Sequence, residues 1–331
     1  MSEFHVVPGV VADDILAAAQ GRVVDIVAET YLLHDAGHSI NPDSYFLRFP
    51  DKPDSRIIAL PAYLGGSVDT AGIKWISSFP GNHDRGIPRA SAVLILNDYA
   101  TGRPYACLES AGISAARTAA SAAIAAAVLG GTWPPDGTAP APRSVGFVGT
   151  GVIASTIGRY LRQVGVPLDD VVCHDLEPAR AARLAAEFDG AGTGSLADAL
   201  DRDLVVFATT AGTPYVPADT PLRPGQLVLN VSLRDLAPEL LLRANNVVDD
   251  VDHCLKAQTS PHLAEQLTGT REFVNGTLGQ VLRGDVTLDP GLPTIFSPFG
   301  LGVLDIAVGS VVLAEALAAG RAVTVPGFFP G

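Results

Sequence analysis

The sequence predicts an α/β protein with two domains, one of them α+β and the other built on a parallel sheet. The chain has 331 residues, roughly twice the length of a common domain. Segments rich in β-branched and aromatic residues occur throughout residues 1–110, whereas strand-like and helix-like segments alternate after residue 143. Between these regions, residues 130–143 hold four prolines and three glycines, a composition typical of a linker.

The charge balance limits the kinds of molecule that the protein is expected to bind. Lys and Arg number 22 and Asp and Glu number 35, which gives a formal net charge of −13. This balance argues against a general nucleic-acid binder, because phosphate contacts need a basic surface, and against binding to an anionic membrane. A small anionic substrate stays compatible with it, since a few arginines can dominate one cleft.

Cysteine usage and the N-terminus predict a cytoplasmic protein. Cys107, Cys173 and Cys254 are odd in number and widely spaced, so neither a disulfide framework nor a metal pair is indicated. The first residues lack the basic and apolar regions of a signal peptide. The longest uncharged apolar run, residues 118–129, has 12 residues, whereas a membrane span needs about 20.

The first domain is predicted to consist of short strands separated by turns over residues 1–110, followed by one long helix. Its candidate strands cover residues 44–49, 56–62, 71–77 and 91–97. Residues 97–102 contain the Asn-Asp and Thr-Gly pairs of a hairpin turn. Residues 114–129 are rich in alanine, the strongest helix former, so this segment is predicted to be helical.

The second domain is predicted from its alternating pattern. Candidate strands cover residues 144–148, 171–174, 204–208, 227–231 and 246–249, and candidate helices cover residues 152–164 and 178–188. Short apolar runs that alternate with helices indicate a parallel sheet covered on both faces. We therefore expect one domain over residues 131–301. The other covers residues 1–130 and is completed by a C-terminal helix in residues 302–331.

A nucleotide-binding motif begins the second domain. The strand at residues 144–148 runs into Gly149-Thr-Gly151-Val-Ile-Ala154, the G-x-G-x-x-A pattern in its strand–turn–helix context. Gly149 allows the tight turn, Gly151 lets the backbone approach a pyrophosphate, and Ala154 keeps the helix close to the strand. A plain strand–helix turn is the alternative, but strand, glycines, helix and a later acid occur together. The motif thus predicts a Rossmann-type dinucleotide domain.

The acid at the end of the next strand indicates which cofactor binds. Asp175 lies 24 residues after Gly151, where a carboxylate hydrogen-bonds the ribose 2′-hydroxyl. The same carboxylate repels a 2′-phosphate, so we expect NAD rather than NADP. Nearby Arg180 is the one feature that points the other way.

Polar residues after the later strands are further candidates for cofactor contacts. Thr209 and Thr210 follow one strand, and residues 230–232 follow the next. Ligands of open α/β sheets bind at the carboxyl ends of the strands. Ordinary turn chemistry explains these residues equally well.

Cations within apolar segments are candidate substrate ligands. Lys74 lies in the strand AGIKWIS, where it is either buried with a partner or on a solvated face. Arg48, in SYFLRF, has the same two explanations. Arg117 is the only charge in the alanine-rich helix, and if buried it needs a carboxylate or phosphate partner.

Two groups of acids leave alternatives open. Asp235 follows a strand end beside the expected nicotinamide site, where it either moves a proton or caps the next helix. Residues 248–253 contain three aspartates and His253, and a solvated strand end explains them better than a metal site. No H-E-x-x-H, C-x-x-C or G-x-S-x-G motif occurs, so neither a metal nor a hydrolase is predicted.

Taken together, these motifs resemble the ornithine cyclodeaminase/μ-crystallin family over nearly the whole chain. The resemblance is carried by residues 74–82, 117–120, 149–154, 230–235 and 294–305. It implies an NAD-dependent enzyme whose N-terminal domain binds substrate and forms a homodimer.

The resemblance also implies roles for individual residues. Lys74 and Arg117 would hold the substrate carboxylate with help from Arg48. Asp235 would be the acid/base at the reacting amine, with Lys74 as the other candidate for the first proton. The expected NAD contacts are Arg117, Thr118, Gly149, Gly151, Val152, Ile153, Asp175, Thr210, Val231, Ser232 and Ser297.

One departure from the family pattern bears on the substrate. Ornithine cyclodeaminases carry a glutamate for the distal amine in the strand that here reads RIIALPAY, and residues 57–60 are all apolar. Recognition of a second ammonium group is therefore in doubt. Arg89 and Arg234 lie close in sequence to the family's site positions. More arginines and one acid fewer indicate a substrate rich in carboxylates, so Arg89 joins the predicted substrate ligands.

Residues 40–53, 56–66, 72–82 and 86–102 resemble one branch of the family more closely. That branch makes L-2,3-diaminopropionate for siderophores and antibiotics by NAD-dependent cleavage of N-(2-amino-2-carboxyethyl)-L-glutamate, with 2-oxoglutarate as the other product. The three carboxylates of that substrate agree with the charge argument. The alternatives are a cyclodeaminase-type lyase, another amino-acid or imine dehydrogenase of the family, and a non-catalytic, μ-crystallin-like dinucleotide-dependent binding protein.

Overall fold

A computed structural model describes residues 3–131 and 142–330, apart from the side chain of His83. The chain divides into two compact units, residues 1–117 with 301–331 and residues 118–300. The linker composition predicts a boundary after residue 130, whereas this division falls earlier, within a helix. Most of the predicted linker lies outside the described residues.

The bounds of the elements are as follows. The helices are α1 (Gly9–Ala18), α2 (Gln20–Asp35), α3 (Ala111–Leu129), α4 (Val152–Gln163), α5 (Pro178–Ala185), α6 (Leu196–Leu200), α7 (Pro238–Leu241), α8 (Val251–Cys254), α9 (Ser260–Thr268), α10 (Leu278–Arg283) and α11 (Gly302–Ala318), with a 3₁₀ helix at Pro80–Arg85. The strands are β1 (Phe4–Val7), β2 (Ser39–Ile40), β3 (Tyr45–Phe49), β4 (Lys52–Leu64), β5 (Thr70–Ser78), β6 (Ala90–Asp98), β7 (Pro104–Glu109), β8 (Val145–Val148), β9 (Val171–His174), β10 (Gly192–Thr193), β11 (Leu204–Phe207), β12 (Leu227–Asn230), β13 (Asn245–Val248), β14 (Gly276–Thr277), β15 (Thr294–Ser297) and β16 (Val323–Val325).

The first unit is built on a mixed sheet with the order β16-β1-β7-β6-β5-β4-β2, and β3 also pairs with β4. The β1–β7 pair is parallel and the other pairs are antiparallel. The four predicted strands are confirmed as β3 to β6, and β4 is longer than predicted at both ends. The predicted hairpin turn is confirmed too, since Asp98 accepts hydrogen bonds from the backbone and hydroxyl of Thr101.

Helices α1 and α2 correct the prediction that residues 1–110 are strands and turns. The apolar residues of α2 recur with helical spacing and are buried; they include Val23, Val24, Val27, Ala28 and Tyr31. Valine favours strands because it is β-branched. In α2 the helical period of the apolar residues outweighs this preference and determines the secondary structure.

The C-terminal helix packs on the sheet of the first unit. Helix α11 contacts β4, β5 and β6 on one side and α2 on another. A methyl group at Gly309 would lie 2.1 Å from Cδ2 of Leu94 in β6. The absence of a side chain at this position therefore allows the helix to approach the strands closely.

The second unit contains the predicted parallel sheet, with the order β10-β9-β8-β11-β12-β15-β13-β14. Its strand pairs are all parallel within the described residues. The predicted strands and helices of this unit are confirmed within about three residues. Strand β15 is absent from the prediction because four residues between prolines are too short to show a period.

Helix α3 is long and apolar enough to cross a membrane by composition alone. However, 67% of its most apolar 18-residue segment is buried inside the protein. This burial is typical of a core helix.

Candidate active site

The predicted cofactor residues of the second unit lie along one edge of its sheet. The last residues of β8, β9, β11 and β12 are in register with one another, and β15 continues the same edge beside β12. Because the strands are parallel, the residues that follow them meet at this edge. The residues there that the sequence predicts as contacts are Gly149, Gly151, Val152, Ile153, Asp175, Thr210, Val231, Ser232 and Ser297.

The glycine motif has the geometry that a dinucleotide needs. Gly149 has φ +80°, and a Cβ there would lie 2.7 Å from the Ala208 carbonyl oxygen. Gly151 precedes α4 as its N-cap, no side chain caps the helix, and the space around a Cβ at Gly151 is open to 4 Å. The N-terminus of α4, with its free N–H groups and positive dipole end, therefore begins at a residue with open space beside it, as a phosphate-binding turn requires.

Asp175 is held as a charged acceptor at the end of β9. Its Oδ2 accepts hydrogen bonds from the backbone and hydroxyl of Thr150 at 2.8 and 2.9 Å, and its Oδ1 accepts one from the Glu177 N–H. Burial alone would raise its pKa, but these hydrogen bonds and the charge of Arg180 together lower it. Arg180 itself forms an ion pair with Glu177 at 2.9 Å.

Asp235 lies fully buried in the loop after β12, with 0% exposure. The Thr209 hydroxyl donates to one carboxylate oxygen, and the Ser232 hydroxyl donates to the other. Helix-capping is excluded, because α7 begins at Pro238 and no side chain caps it. Among the described residues Asp235 has no ion pair, so this carboxylate depends on hydroxyl donors alone.

Tyr215 completes this group and is absent from the sequence-based candidates. Its hydroxyl lies within hydrogen-bonding reach of Asp235, and burial first, then the Asp235 charge, raises the pKa of the phenol. Tyr215 and Val216 also donate their backbone N–H groups to the Asp235 carbonyl. Tyr215 lies 20 positions before Asp235 in the chain. No local sequence pattern indicates that the two side chains come together.

Lys74 is buried and paired, which decides between its two explanations. Its side chain is 2% exposed. The Nζ donates to Asp305 Oδ2 at 2.7 Å and to Ser114 Oγ at 3.1 Å. Arg117 Nε lies 3.4 Å from the same Asp305 oxygen. The partner that Arg117 needs is therefore Asp305, at least in part.

Asp305 has no role in the sequence-based prediction, although a signal exists. It is the only charged residue in residues 302–314, an otherwise apolar stretch of α11, and its side chain has 0% exposure. An ionised carboxylate in such a position needs a cation or several hydrogen-bond donors. The partner could not be identified without coordinates, since Lys74 lies 231 residues away in the chain.

This cluster has one more positive than negative charge. Burial lowers the pKa of Lys74 to about 8; the Asp305 charge opposes this shift and the Arg117 charge adds to it. Both Arg117 Nε and Asp305 Oδ1 are buried without a hydrogen-bond partner. An unsatisfied buried cation is expected where an anion binds.

The other predicted cations differ in their surroundings. Arg48 is exposed on β3 with its guanidinium 5.2 Å from the centre of the Phe46 ring. Arg89, just before β6, is half-buried. Arg234 donates to the Ala257 carbonyl, so this extra cation has a protein partner.

The acidic segment at residues 248–253 is not a solvated strand end, which corrects that interpretation. Asp249 is 1% exposed, and it accepts hydrogen bonds from the backbone N–H groups of Phe299 and Gly300. His253 Nδ1 lies 3.0 Å from Asp250. In residues 3–131 and 142–330, no group of three metal-binding side chains could hold an ion.

The three cysteines are free thiols. Cys173 and Cys254 are buried and Cys107 is half-buried. Burial raises the pKa of all three. They are therefore poor nucleophiles at neutral pH.

Known proteins resemble the chain over most of its length. An alanine dehydrogenase of Archaeoglobus fulgidus is 29% identical, with 89% of this chain and 90% of the relative covered. An N-((2S)-2-amino-2-carboxyethyl)-L-glutamate dehydrogenase of Staphylococcus aureus is 28% identical, with 88% and 89% covered. A solved archaeal alanine dehydrogenase dimer with bound NAD is 26% identical and superimposes with a TM-score of 0.86, with 99% of this chain and all of that chain covered.

The family-level expectations are confirmed. These relatives are dehydrogenases, and the solved neighbour carries NAD, which agrees with the predicted NAD-dependent oxidoreductase with a Rossmann-type domain. The model of the ornithine cyclodeaminase/mu-crystallin family matches residues 16–320. The chain therefore belongs to the ornithine cyclodeaminase/mu-crystallin family.

Proposed function

We propose that the protein catalyses NAD-dependent oxidative cleavage of N-(2-amino-2-carboxyethyl)-L-glutamate to 2-oxoglutarate and L-2,3-diaminopropionate. The observation that carries this proposal is a local group of positive side chains in the first unit that lack a carboxylate of their own among the described residues. Lys74 and Arg117 share a single carboxylate, and Arg48 and Arg89 have no ion pair in the described part of the chain. A substrate with three carboxylates supplies the missing negative charge.

In this proposal one domain binds the substrate and the other binds the cofactor. Residues 1–130 with 302–331 bind the substrate and form the dimer, and residues 131–301 bind NAD. Lys74 and Arg117 take one substrate carboxylate, while Arg48 and Arg89 take the others and so orient the α-carbon of the glutamate part.

The second unit's residues bind the cofactor in the proposed reaction. Gly149 and Gly151 make room for the pyrophosphate, and Asp175 accepts from the ribose hydroxyl. Arg117 and Thr118 are further proposed contacts. The chemistry that NAD⁺ supplies when bound is to accept a hydride from the α-carbon of the glutamate part.

Asp235 moves the protons. It first removes one from the substrate's secondary ammonium group, because hydride loss requires the free amine. Asp235 next guides water onto the carbon of the resulting carbon–nitrogen double bond and transfers a proton to the departing nitrogen. One water is consumed and one proton is released in total. Lys74 is the less suitable base, since its Nζ already donates to Asp305 and Ser114.

The test is product analysis with the purified protein. Incubation with the conjugate and NAD⁺ should yield 2-oxoglutarate, L-2,3-diaminopropionate and NADH in equal amounts, measured by mass spectrometry and NADH absorbance. Ornithine converted to proline without net NADH would identify a cyclodeaminase instead. Binding of NADH without turnover of any amino acid would identify a binding protein.

A second candidate is a dehydrogenase for alanine. It is favoured by the similarity to the Archaeoglobus fulgidus enzyme and to the solved archaeal dimer. Alanine has a single carboxylate and leaves Arg48 and Arg89 without a role. NADH formation from L-alanine, but not from the conjugate, would support this candidate.

We also propose a soluble, cytoplasmic homodimer. Four large apolar side chains, 38–70% exposed, lie on one face of β3, β5 and β6 by register; they are Tyr45, Leu47, Trp75 and Val93. Such a patch fits a second copy of the chain, and the solved neighbour is a dimer. Trp75→Glu should give a monomer in light scattering, whereas Leu267→Glu, at an exposed position of α9, should not.

A further inference from the structure

A second group of cations lies in the first unit, apart from Lys74. Arg48 on β3 is the cross-strand partner of Arg56 on β4, and Arg56 is the partner of Ser78 on β5. Cross-strand partners point to the same face of a sheet. Arg48, Arg56 and Ser78 therefore form one row across three strands.

Arg89 lies beside this row, just before the next strand. It directly precedes Ala90, the partner of Ser78 on β6. Burial lowers the pKa of Arg56 and the neighbouring charge of Arg48 lowers it further; likewise burial and then the charge of Arg56 lower the pKa of Arg89. Arg56 therefore lies close enough to Arg48 and to Arg89 for its charge to be repelled by each of them.

Within the described part of the chain, no carboxylate balances this charge. None of Arg48, Arg56 and Arg89 forms an ion pair with a residue that the structure describes. In addition, Ser78 is 9% exposed, and its Oγ is buried without a hydrogen-bond partner. A buried hydroxyl group without a hydrogen-bond partner is costly, and one beside several arginines without ion pairs is typical of a site that an anion occupies.

The same face of the sheet connects this row with Lys74. Ser78, Ile76 and Lys74 alternate along β5, so their side chains share a face. The distance from Ser78 to Lys74 along the strand is about 13 Å, from four residues at about 3.3 Å each. The row between them consists of Ile58, Ile76 and Ala92 by register.

We propose that Arg56 and Ser78, with Arg48 and Arg89, form a second carboxylate subsite that selects substrates with distal carboxylates. The α-carboxylate of the substrate binds near Lys74 and Arg117, and its methylene groups lie over the apolar row. This inference rests on the proposed function and adds Arg56 and Ser78 to it. It makes the enzyme specific for a polycarboxylate rather than for a small amino acid such as alanine.

The experiment compares Arg56→Gln with Arg183→Gln, which removes an exposed arginine on α5. In Arg56→Gln, KM for the conjugate should rise about 10- to 100-fold with little change in kcat, because a charge-assisted contact far from the reacting carbon is lost. Arg56→Lys should recover part of the loss, and Ser78→Ala should raise KM by about threefold. Arg183→Gln should match the parent protein.

A binding measurement keeps this test separate from the activity. In the NADH complex, 2-oxoglutarate and pyruvate differ by a distal carboxylate. Arg56→Gln should weaken 2-oxoglutarate binding and leave pyruvate binding unchanged. Equal loss for both ligands, or for neither, would overturn the subsite. If the parent protein does not cleave the conjugate but Arg56→Gln still discriminates between these ligands, the proposed function fails and the subsite stands.

Discussion

Two aspartates with no exposed surface, Asp305 and Asp235, are held in opposite ways. Asp305 lies against two cations, Lys74 and Arg117. Asp235 receives hydrogen bonds from the Thr209 and Ser232 hydroxyls. Because both cations pair with this one carboxylate, we assign Asp305 the role of positioning them. Asp235 forms no ion pair with a described residue, which suits the proton-transfer role proposed for it.

The largest expected effect is on turnover. Asp235→Asn keeps the shape of the side chain but cannot accept a proton, so kcat should fall by about 10²- to 10⁴-fold. NADH affinity, measured by fluorescence titration, should remain as in the parent protein. Tyr215→Phe is the matched control, and its effect should be much smaller. Unchanged turnover in Asp235→Asn would remove this residue from the mechanism.

The same substitution at the other aspartate should instead affect stability. Asp305→Asn leaves two buried cations without their carboxylate, which should lower the free energy of unfolding by about 3–5 kcal/mol. Asp235→Asn should lower it by less than about 1 kcal/mol, because an amide still hydrogen-bonds hydroxyl groups. Denaturant titration of both variants measures the difference. If the two variants were equally stable, the distinction between the two aspartates would be wrong.

The charge of Lys74 should make the binding of an anionic inhibitor depend on pH. Its pKa of about 8 means that the ammonium group is present below pH 8 and is lost above it. Inhibition by 2-oxoglutarate, which has no group titrating in this range, should therefore weaken above pH 8, by up to about tenfold per pH unit. Lys74→Arg keeps its charge and should show a flat profile. Stronger inhibition as the pH rises would contradict the proposed carboxylate contact.

Local sequence signals account for most of what could be predicted. Gly149, Gly151 and Asp175 belong to one motif whose strand, turn and helix follow one another in the chain, and the observed edge of the sheet agrees with that prediction. The helical period of α2 was also present in the sequence, but its valines favour strands, so propensity and period conflicted.

Contacts between distant segments could not be predicted in the same way. Lys74 contacts Asp305, which lies 231 positions away in the chain. Arg56 and Ser78 are neighbours because of the register of their two strands. A one-residue shift of register would have placed Arg56 on the other face. Tyr215 likewise approaches Asp235 because of the conformation of the loop that contains it. The residues that surround the candidate catalytic groups are therefore the part that required a structure.

A third aspartate gives the smallest expected effect and extends the comparison. Asp175 accepts hydrogen bonds mainly from backbone N–H groups and the Thr150 hydroxyl, which keep it ionised at a partly open strand end. Asp175→Ala removes the acceptor for the ribose and the repulsion of a 2′-phosphate. The preference for NAD over NADP should fall by about tenfold, measured as the ratio of kcat/KM values for the two cofactors. Thr210→Ala, at the same edge, should lower both values in parallel and keep their ratio. Equal kcat/KM values for NAD and NADP in the parent protein would show that Asp175 does not select the cofactor, and the selecting role would then fall to the neighbouring Arg180, released from Glu177.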